Sequence, residues 1–156
     1  MSGDMPGFIW NTNHRMWKVV PPFANSRDVL KAYICDPSAY VYWSTPRFHD
    51  EIKVGDAAYI LRTADEDGND GIVACGVVAE TPRQLTGSSA TQFAFPLRLT
   101  PAGWDEQVAP SSFKTGIRIE RTFWDHPIKG VQPAIGTVGQ LSEERLQVIV
   151  AEIAGR

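Results

Sequence analysis

Tyr42-Trp43-Ser44-Thr45-Pro46 closes a short apolar run that begins at Ala39. Tryptophan is costly to expose to water, and the Ser-Thr pair places hydrogen-bonding groups beside its ring. This combination is typical of a pocket that stacks on a flat ligand and hydrogen-bonds to its edge. A core tryptophan followed by a turn is the alternative interpretation, because most large aromatic side chains are simply buried.

Outward from this stretch, the chain predicts a series of strands. A charged patch at 47–53 is followed by Val54-Gly55-Asp56, which leads into a predicted strand at 57–63. A second strand-like run at 71–79 lies across an acidic turn, so we expect the two runs to pair as a hairpin. Other strand-like segments are 8–10, 39–43, 92–99 and 117–119, whereas the Gly- and Pro-rich residues 125–140 predict an ordered loop.

The first helix is predicted to open at Asn25, a suitable N-cap with Asp28 three residues further on, and to end at Asp36-Pro37. The resulting order is β-α-β, several strands and then a terminal helix. It predicts an α+β domain built around a mixed or barrel-like sheet. A length of 156 residues suits one domain with a real core.

The last helix has clear start signals. Ser142 is the predicted N-cap, and the acidic residues after it suit the positive end of a helix. Leu141 and Leu146 are predicted to form a hydrophobic staple across this N-terminus. The predicted buried stripe of the helix consists of Leu146, Ile149, Val150 and Ile153.

The composition is that of an ordinary soluble protein, with 43% hydrophobic and 21% charged residues. No apolar run approaches the roughly 20 residues of a membrane-spanning helix. The N-terminus, Met1-Ser2-Gly3-Asp4, lacks the basic start and apolar stretch of a signal peptide. We therefore expect a cytoplasmic protein with no membrane partner.

Cysteine and histidine residues give no sign of a metal site. Cys35 and Cys75 lie far apart, and neither has a metal-ligand partner at short spacing. His14, His49 and His126 are scattered along the chain. The sequence predicts two buried reduced thiols, no metal and no cofactor.

The net charge of −3 argues against a general nucleic-acid coat. Basic and acidic residues number five and four in residues 1–50, four and nine in 51–110, and six and five in 111–156. The acidic excess therefore lies in the middle of the chain, and the ends can still form a mildly basic face. Its candidate members are Arg15, Lys18, Arg27, Lys31 and Arg47.

Several segments occur in an order that matches a known family. They are Tyr42-Trp43-Ser44-Thr45, then Val54-Gly55-Asp56 with Tyr59-Ile60-Leu61, then Gly71-Ile72-Val73-Ala74-Cys75-Gly76-Val77-Val78. Ile117-Arg118-Ile119-Glu120, a polar loop and Leu141-Ser142-Glu143-Glu144 follow. In this arrangement the chain, from Phe8 to Ile153, resembles the EVE and YTH branches of the PUA-like superfamily.

The resemblance implies a single EVE-like domain over residues 1–156, with a PUA-like pseudo-barrel of mixed strands flanked by helices, one of them C-terminal. YTH members read methylated adenine in RNA, and EVE members are linked to modified bases in DNA or RNA. It therefore implies a non-enzymatic module that holds a modified, in particular methylated, base of DNA or RNA in an aromatic cage. Bacterial EVE members often accompany restriction systems, so restriction or RNA-related proteins are candidate further partners.

By position, the resemblance makes Trp43 a wall of the cage. It places Ser44 and Thr45 against the base or the adjacent backbone. Asn11 and Asn13, in the polar segment after the first strand, would read the base edge, since amide side chains can hydrogen-bond to donors and acceptors together. A base can be enclosed in this way only when it is flipped out or single-stranded.

Further candidate residues surround this set. In the YTH pattern a second tryptophan comes from the loop that corresponds to residues 81–92, which here holds no aromatic residue. Trp10, Trp17 and Phe93 are the candidates for that second wall. Asn25 and Ser26 open the nearby helix, and Arg47 and Lys18 are the candidate phosphate contacts.

Two other function classes stay open. An ASCH-like hydrolase of a modified nucleoside, from another PUA-like branch, typically needs a Lys, Thr and Glu set, for which Lys53, Thr45 and Glu51 are the candidates. A protein- or small-metabolite-binding domain is consistent with the acidic net charge. A positive rim beside Trp43 would favour the nucleic-acid module over this third class.

Overall fold

The computed structural model describes residues 6–13, 27–28, 31, 41–45, 47–63, 70–84, 113–120, 123–131 and 138–156. Within these ranges Arg27, Asp28 and Lys31 are helical, as the predicted first helix requires. The C-terminal helix is Glu143–Ala154. The strands are β1 (Gly7–Asn13), β2 (Val41–Ser44), β3 (Ala57–Thr63), β4 (Gly71–Gln84), β5 (Phe113–Ile119) and β6 (Val138–Leu141).

These strands form one mixed sheet in the order β2-β5-β4-β3-β1-β6. β1 and β3 are parallel, and the other neighbouring pairs are antiparallel. The predicted pairing of the two strands that flank the acidic turn is confirmed, because β3 and β4 pair in antiparallel register. Across the described strands the sheet is open, with β2 and β6 at its edges. The architecture is α+β, as predicted.

β4 is the long central strand of the sheet, with 14 residues. Its first half pairs with β3 and its second half with β5, and register shifts between Val78, Glu80 and Arg83 accommodate the change. At Gly76 a Cβ atom would lie 2.0 Å from the carbonyl oxygen of Arg118. Glycine at this position therefore permits the close approach of β4 and β5.

The sequence expectation for residues 125–140 is wrong in part. This segment, predicted to be a loop, contains most of β6, which pairs with β1 from Leu141 opposite Gly7 to Val138 opposite Trp10. Ile128 also forms an isolated bridge with Ile72. Local pattern could not reveal β6, because its four residues show little alternation and its partner strand lies at the other end of the chain. The predicted strand at 92–99 lies outside the described residues.

The two faces of the sheet bury different side chains, because alternate residues of a strand point to opposite faces. The aromatic face is defined by a buried cluster of Phe8, Trp10, Trp43, Ile52, Ala58, Ile60, Val73, Ala74, Val78, Ile117, Phe123 and Val138. The helix face is defined by a second cluster of Ile9, Tyr59, Leu61, Ile72, Cys75, Ile128, Leu141 and Ile149. Cys75 is a buried thiol, as predicted, and Cys35 lies outside the described residues.

The C-terminal helix packs on the helix face. Ser142 Oγ accepts a hydrogen bond of 3.3 Å from the backbone N–H of Arg145, which confirms the predicted N-cap. Leu141 and Leu146 both belong to the packing of the helix face, as the predicted staple requires. None of the helices in the described ranges has the length and apolar character that a membrane span requires.

The buried stripe of this helix is narrower than predicted. Ile149 is buried, and Leu146 and Ile153 pack against its cluster. The prediction that Val150 is buried is wrong, because this side chain is 50% exposed. Leu146, Ile149 and Ile153 are three and four residues apart, so they form the strip of the helix that contacts the sheet. Val150 lies next to this strip and points toward solvent.

Candidate functional site

Trp10 and Thr45 meet inside the aromatic face. The indole Nε1–H of Trp10 donates a hydrogen bond to Thr45 Oγ1, with 3.2 Å between nitrogen and oxygen. Both side chains are fully buried, with 0% exposed surface. This bond connects β1 to the stretch Trp43-Ser44-Thr45, so the two segments singled out by sequence lie together in the fold.

The Thr45 hydroxyl is the centre of a small hydrogen-bond network. It donates to the carbonyl oxygen of Trp43 at 2.9 Å, and it lies 2.6 Å from the hydroxyl of Thr115. Since a hydroxyl has one proton, the bond to Trp43 makes Thr115 the donor in the second contact. Thr45 Oγ1 then donates once and accepts twice, which is its full capacity. The network therefore fixes the indole of Trp10 and the backbone at Trp43.

Exposure separates Trp43 from the residues that support it. Trp43 keeps 6% of its surface exposed, whereas Trp10, Thr45 and Thr115 keep none. Trp43 is consequently the member of this group nearest to solvent. Trp10 and the two threonines are fully buried, and Thr45 holds the backbone of Trp43 through its carbonyl oxygen.

The turn after β2 brings a further aromatic ring and a cation to the edge of the aromatic face. The Phe48 ring lies 5.9 Å from the Phe8 ring, and Arg47 Cζ lies 5.0 Å from the Phe48 centroid. Phe48 has a φ of 65°, a left-handed conformation that bulky residues rarely adopt. Its carbonyl oxygen accepts hydrogen bonds from the N–H groups of Glu51 and Ile52, which stabilise the turn. Arg47 is thereby held, exposed, beside the aromatic cluster.

His49 ties the same turn to the start of β5. Its ring stacks on Phe113, with 3.8 Å between ring centroids and an interplanar angle of 15°. The Nε2 atom of His49 is buried and makes no hydrogen bond in the described part of the chain. It is a polar position next to the aromatic face that the sequence reasoning did not single out.

Asp56 organises the turn that leads into β3. Its Oδ2 accepts a hydrogen bond of 2.8 Å from the backbone N–H of Lys53, and Gly55 adopts a φ of 94° that favours glycine. The carboxyl group is buried, and this desolvation raises the pKa of Asp56 above its ordinary value of 3.8. The hydrogen bond from Lys53 and the charge of that lysine partly oppose the rise in pKa. Gly55 and Asp56 thus form the turn that leads the chain into β3.

Comparison with known proteins relates the whole arrangement to solved structures. One is the crystal structure of human THYN1 protein in complex with 5-methylcytosine-containing DNA, with a TM-score of 0.55, 10% identity, and coverage of 94% of this chain and 96% of that chain. Another is the structure of a hypothetical protein from Leishmania major, with a TM-score of 0.53, 12% identity and 98% coverage of both chains. The chain has the PUA-like fold. No protein-family profile matches its sequence, and no curated protein matches it either.

The PUA-like fold brings some of the predicted site residues together and separates others. Trp10, Trp43 and Thr45 converge on the aromatic face. Asn11 directly follows Trp10 in β1, so strand alternation places it on the other side of the sheet, toward Ile9. Ser44 and Asn13 are the last residues of β2 and β1. Trp17, Lys18, Asn25, Ser26 and Phe93 lie outside the described residues, so their predicted roles stay predictions.

Two arginines of this chain, Arg62 and Arg27, are associated with the aromatic face. The sequence predicted neither of them as a residue of the pocket. Arg62 is only 2% exposed, and it alternates with Leu61 so that it shares the aromatic face with Ile60. Because arginine stays protonated, Arg62 brings a fixed positive charge to this face. Arg27 lies with its Cζ 5.6 Å from the centroid of Phe123, a member of the aromatic cluster. The sequence did contain one sign of a buried Arg62, because this arginine directly continues the apolar run at 57–61.

The residues of the hydrolase alternative do not share one accessible site. Thr45 is fully buried and its hydroxyl is saturated, whereas Glu51 and Lys53 are exposed. The Lys53 ammonium donates a hydrogen bond of 2.9 Å to the carbonyl oxygen of Asp50. Within the described ranges, His, Cys, Asp and Glu form no group of three that could hold a metal ion.

Proposed function

We propose that this protein is a non-enzymatic module that binds a modified, in particular methylated, base of DNA or RNA against the aromatic face. The observation that carries the proposal is the convergence of Trp10, Trp43 and Thr45 in a fold shared with human THYN1, a protein solved with DNA that contains 5-methylcytosine. Aromatic surfaces favour the methyl group of a modified base, and stacking suits any flat ring.

In this proposal the residues divide into a contact set and a supporting set. Trp43 is the wall that the base touches, because it alone in the central group keeps exposed surface. Trp10 and Thr45 position it through the saturated hydrogen-bond network. The contacts to the base edge that the sequence predicts for Ser44 and Asn13 stay predictions, and Asn11, on the other side of the sheet, is not a contact in this proposal. Arg47, exposed over Phe48, is a proposed phosphate contact.

The test is the binding of fluorescently labelled single-stranded DNA and RNA oligomers, measured by anisotropy at low salt. Each sequence is prepared with 5-methylcytosine, 5-hydroxymethylcytosine or N6-methyladenine, and without modification. We expect one modified oligomer to bind more tightly than its unmodified form. Trp43→Leu should weaken that complex by about tenfold, since stacking on an aromatic side chain contributes about 1–3 kcal/mol per base.

Trp124→Leu is the matched control, because Trp124 is half-buried on the helix face and packs away from the aromatic cluster. It should leave the preference for the modified oligomer unchanged. Circular dichroism establishes that both variants fold. Failure of every oligomer to bind at low salt, or an equal loss in the two variants, would contradict the proposal.

A further inference from the structure

Two basic side chains of the first helix share one carboxylate. The guanidinium of Arg27 forms an ion pair with Asp125 Oδ1, and Lys31 Nζ lies 3.6 Å from the same oxygen. The side chains of Arg27, Lys31 and Asp125 are 34%, 47% and 54% exposed. The group therefore carries two positive charges against one negative charge, and solvent reaches all three members.

This group borders the aromatic face. Arg27 lies over Phe123, which is buried in the same cluster as Trp43. Arg47 lies over Phe48 in a similar way, and Phe48 packs against the same cluster. Two arginines from distant segments thus contact rings that belong to, or pack against, one aromatic cluster. A ligand that stacks at Trp43 and continues as a polyanion would meet positive charge at the edge of the cluster.

The ion pairs themselves contribute little to the stability of the fold, because exposed pairs are well solvated and screened by salt. A carboxylate and a phosphate present similar pairs of oxygens to a guanidinium, and arginine binds both through parallel N–H donors. Both cations contact Asp125 Oδ1, so a single anionic oxygen already bridges Arg27 and Lys31.

We propose that Arg27 and Lys31 form a phosphate-binding pair for the backbone of the nucleic acid, and that Asp125 competes with the phosphate for this pair. The inference rests on the proposed nucleic-acid function. It adds a contact to the phosphate backbone and a carboxylate, Asp125, that lowers the affinity of this contact. Because the backbone is the same in every sequence, the pair acts equally on modified and unmodified oligomers.

The test compares the intact protein with Asp125→Asn, which removes the competing charge and keeps the side-chain shape. We expect Asp125→Asn to bind single-stranded DNA several-fold more tightly at low salt. The slope of log affinity against log salt should steepen by about 0.7, the value for one more phosphate contact on a single strand. The double variant Arg27→Gln/Lys31→Gln should bind more weakly, and adding Asp125→Asn to it should have no further effect.

Glu144→Gln is the matched control, because it makes the same charge change at an exposed position on the C-terminal helix, which packs on the helix face. It should change affinity by less than about twofold, since it removes only a distant, screened charge. An equal gain in affinity for Asp125→Asn and Glu144→Gln would overturn the inference. So would a gain from Asp125→Asn that persists without Arg27 and Lys31.

An abasic oligodeoxynucleotide separates this inference from the function on which it rests. It presents phosphates without bases, so it reports the backbone contacts alone. Tighter abasic binding by Asp125→Asn, without any preference for a modified base, would support the phosphate pair and contradict base recognition. A preference for a modified base, with abasic binding unchanged by Asp125→Asn, would overturn the phosphate pair alone. Absence of all binding would overturn both.

Discussion

The helix face and the aromatic face are built from the same strands but are completed in different ways. The helix face is closed by apolar contacts, with Ile149 of the C-terminal helix inserted among strand residues. The aromatic face includes a buried hydroxyl network in which Thr45 connects Trp10, Trp43 and Thr115. Apolar contacts stabilise without direction, whereas hydrogen bonds fix orientation. The helix face therefore serves mainly to stabilise the domain, whereas the aromatic face also fixes the orientation of Trp10 and the backbone at Trp43, the residues on which the proposed base recognition rests.

The largest expected effect is on the helix face. Ile149→Ala removes a side chain that is 1% exposed, so it should lower the free energy of unfolding by about 2–5 kcal/mol through lost burial and a residual cavity. Urea denaturation measures the change. Val148→Ala on the same helix is the control, because that side chain is 66% exposed and should have little effect. Equal effects of the two substitutions would contradict the conclusion that burial on the helix face stabilises the domain.

Thr45→Val tests the aromatic face by removing the hydroxyl with little change in shape. The Trp10 indole N–H loses its acceptor in a fully buried position, so we expect a loss of about 1–3 kcal/mol. The near-ultraviolet circular dichroism should change as well, because the indole is no longer fixed. A variant with unchanged stability and an unchanged spectrum would show that the network does not hold the tryptophan.

Thr115→Val should have a smaller effect, about 1 kcal/mol, because Thr45 then keeps its bonds to Trp10 and Trp43. A double-mutant cycle of Thr45→Val and Thr115→Val sharpens the comparison. The two hydroxyls lie 2.6 Å apart, so their effects should not add. Strict additivity in urea denaturation would mean that the two groups act independently.

The smallest expected effect concerns Asp56 and pH. Its pKa is raised in the folded state, so the protonated carboxyl is the favoured form there. Stability from this group is fully present below its ordinary pKa of 3.8 and is lost as the pH rises through the folded value. Asp56→Asn should therefore become more stable relative to the native protein as the pH rises. Urea midpoints at several pH values measure the difference, and a constant difference would contradict the prediction.

Much of the fold could be predicted because its signals are local. The hairpin of β3 and β4 follows from two apolar runs around a turn, and the last helix follows from its cap at Ser142. β6 escaped prediction because its pairing with β1 is not encoded in its own pattern. The exposure of Val150 also depends on how the helix is rotated against the sheet, which a periodic pattern gives only within one residue position.

The candidate site was predictable in part. Residue chemistry alone drew attention to Trp43 and its Ser-Thr neighbours. It could not show that Thr45 uses its whole hydrogen-bonding capacity inside the protein, since that depends on Trp10 and Thr115. It also could not place Arg62 on the aromatic face, because the side of the sheet that a residue occupies depends on strand register.

The sequence by itself determined the types of the elements with local signals, the turn before β3 and the resemblance to PUA-like proteins, because caps, glycine turns and alternation act between near neighbours. Only the tertiary structure decided which aromatic rings share a face and which charges meet. Trp10 and Thr45 are 35 residues apart, and Arg27 and Asp125 are 98 apart. Contacts over such separations depend on strand order and register, which arise from the packing of the whole chain.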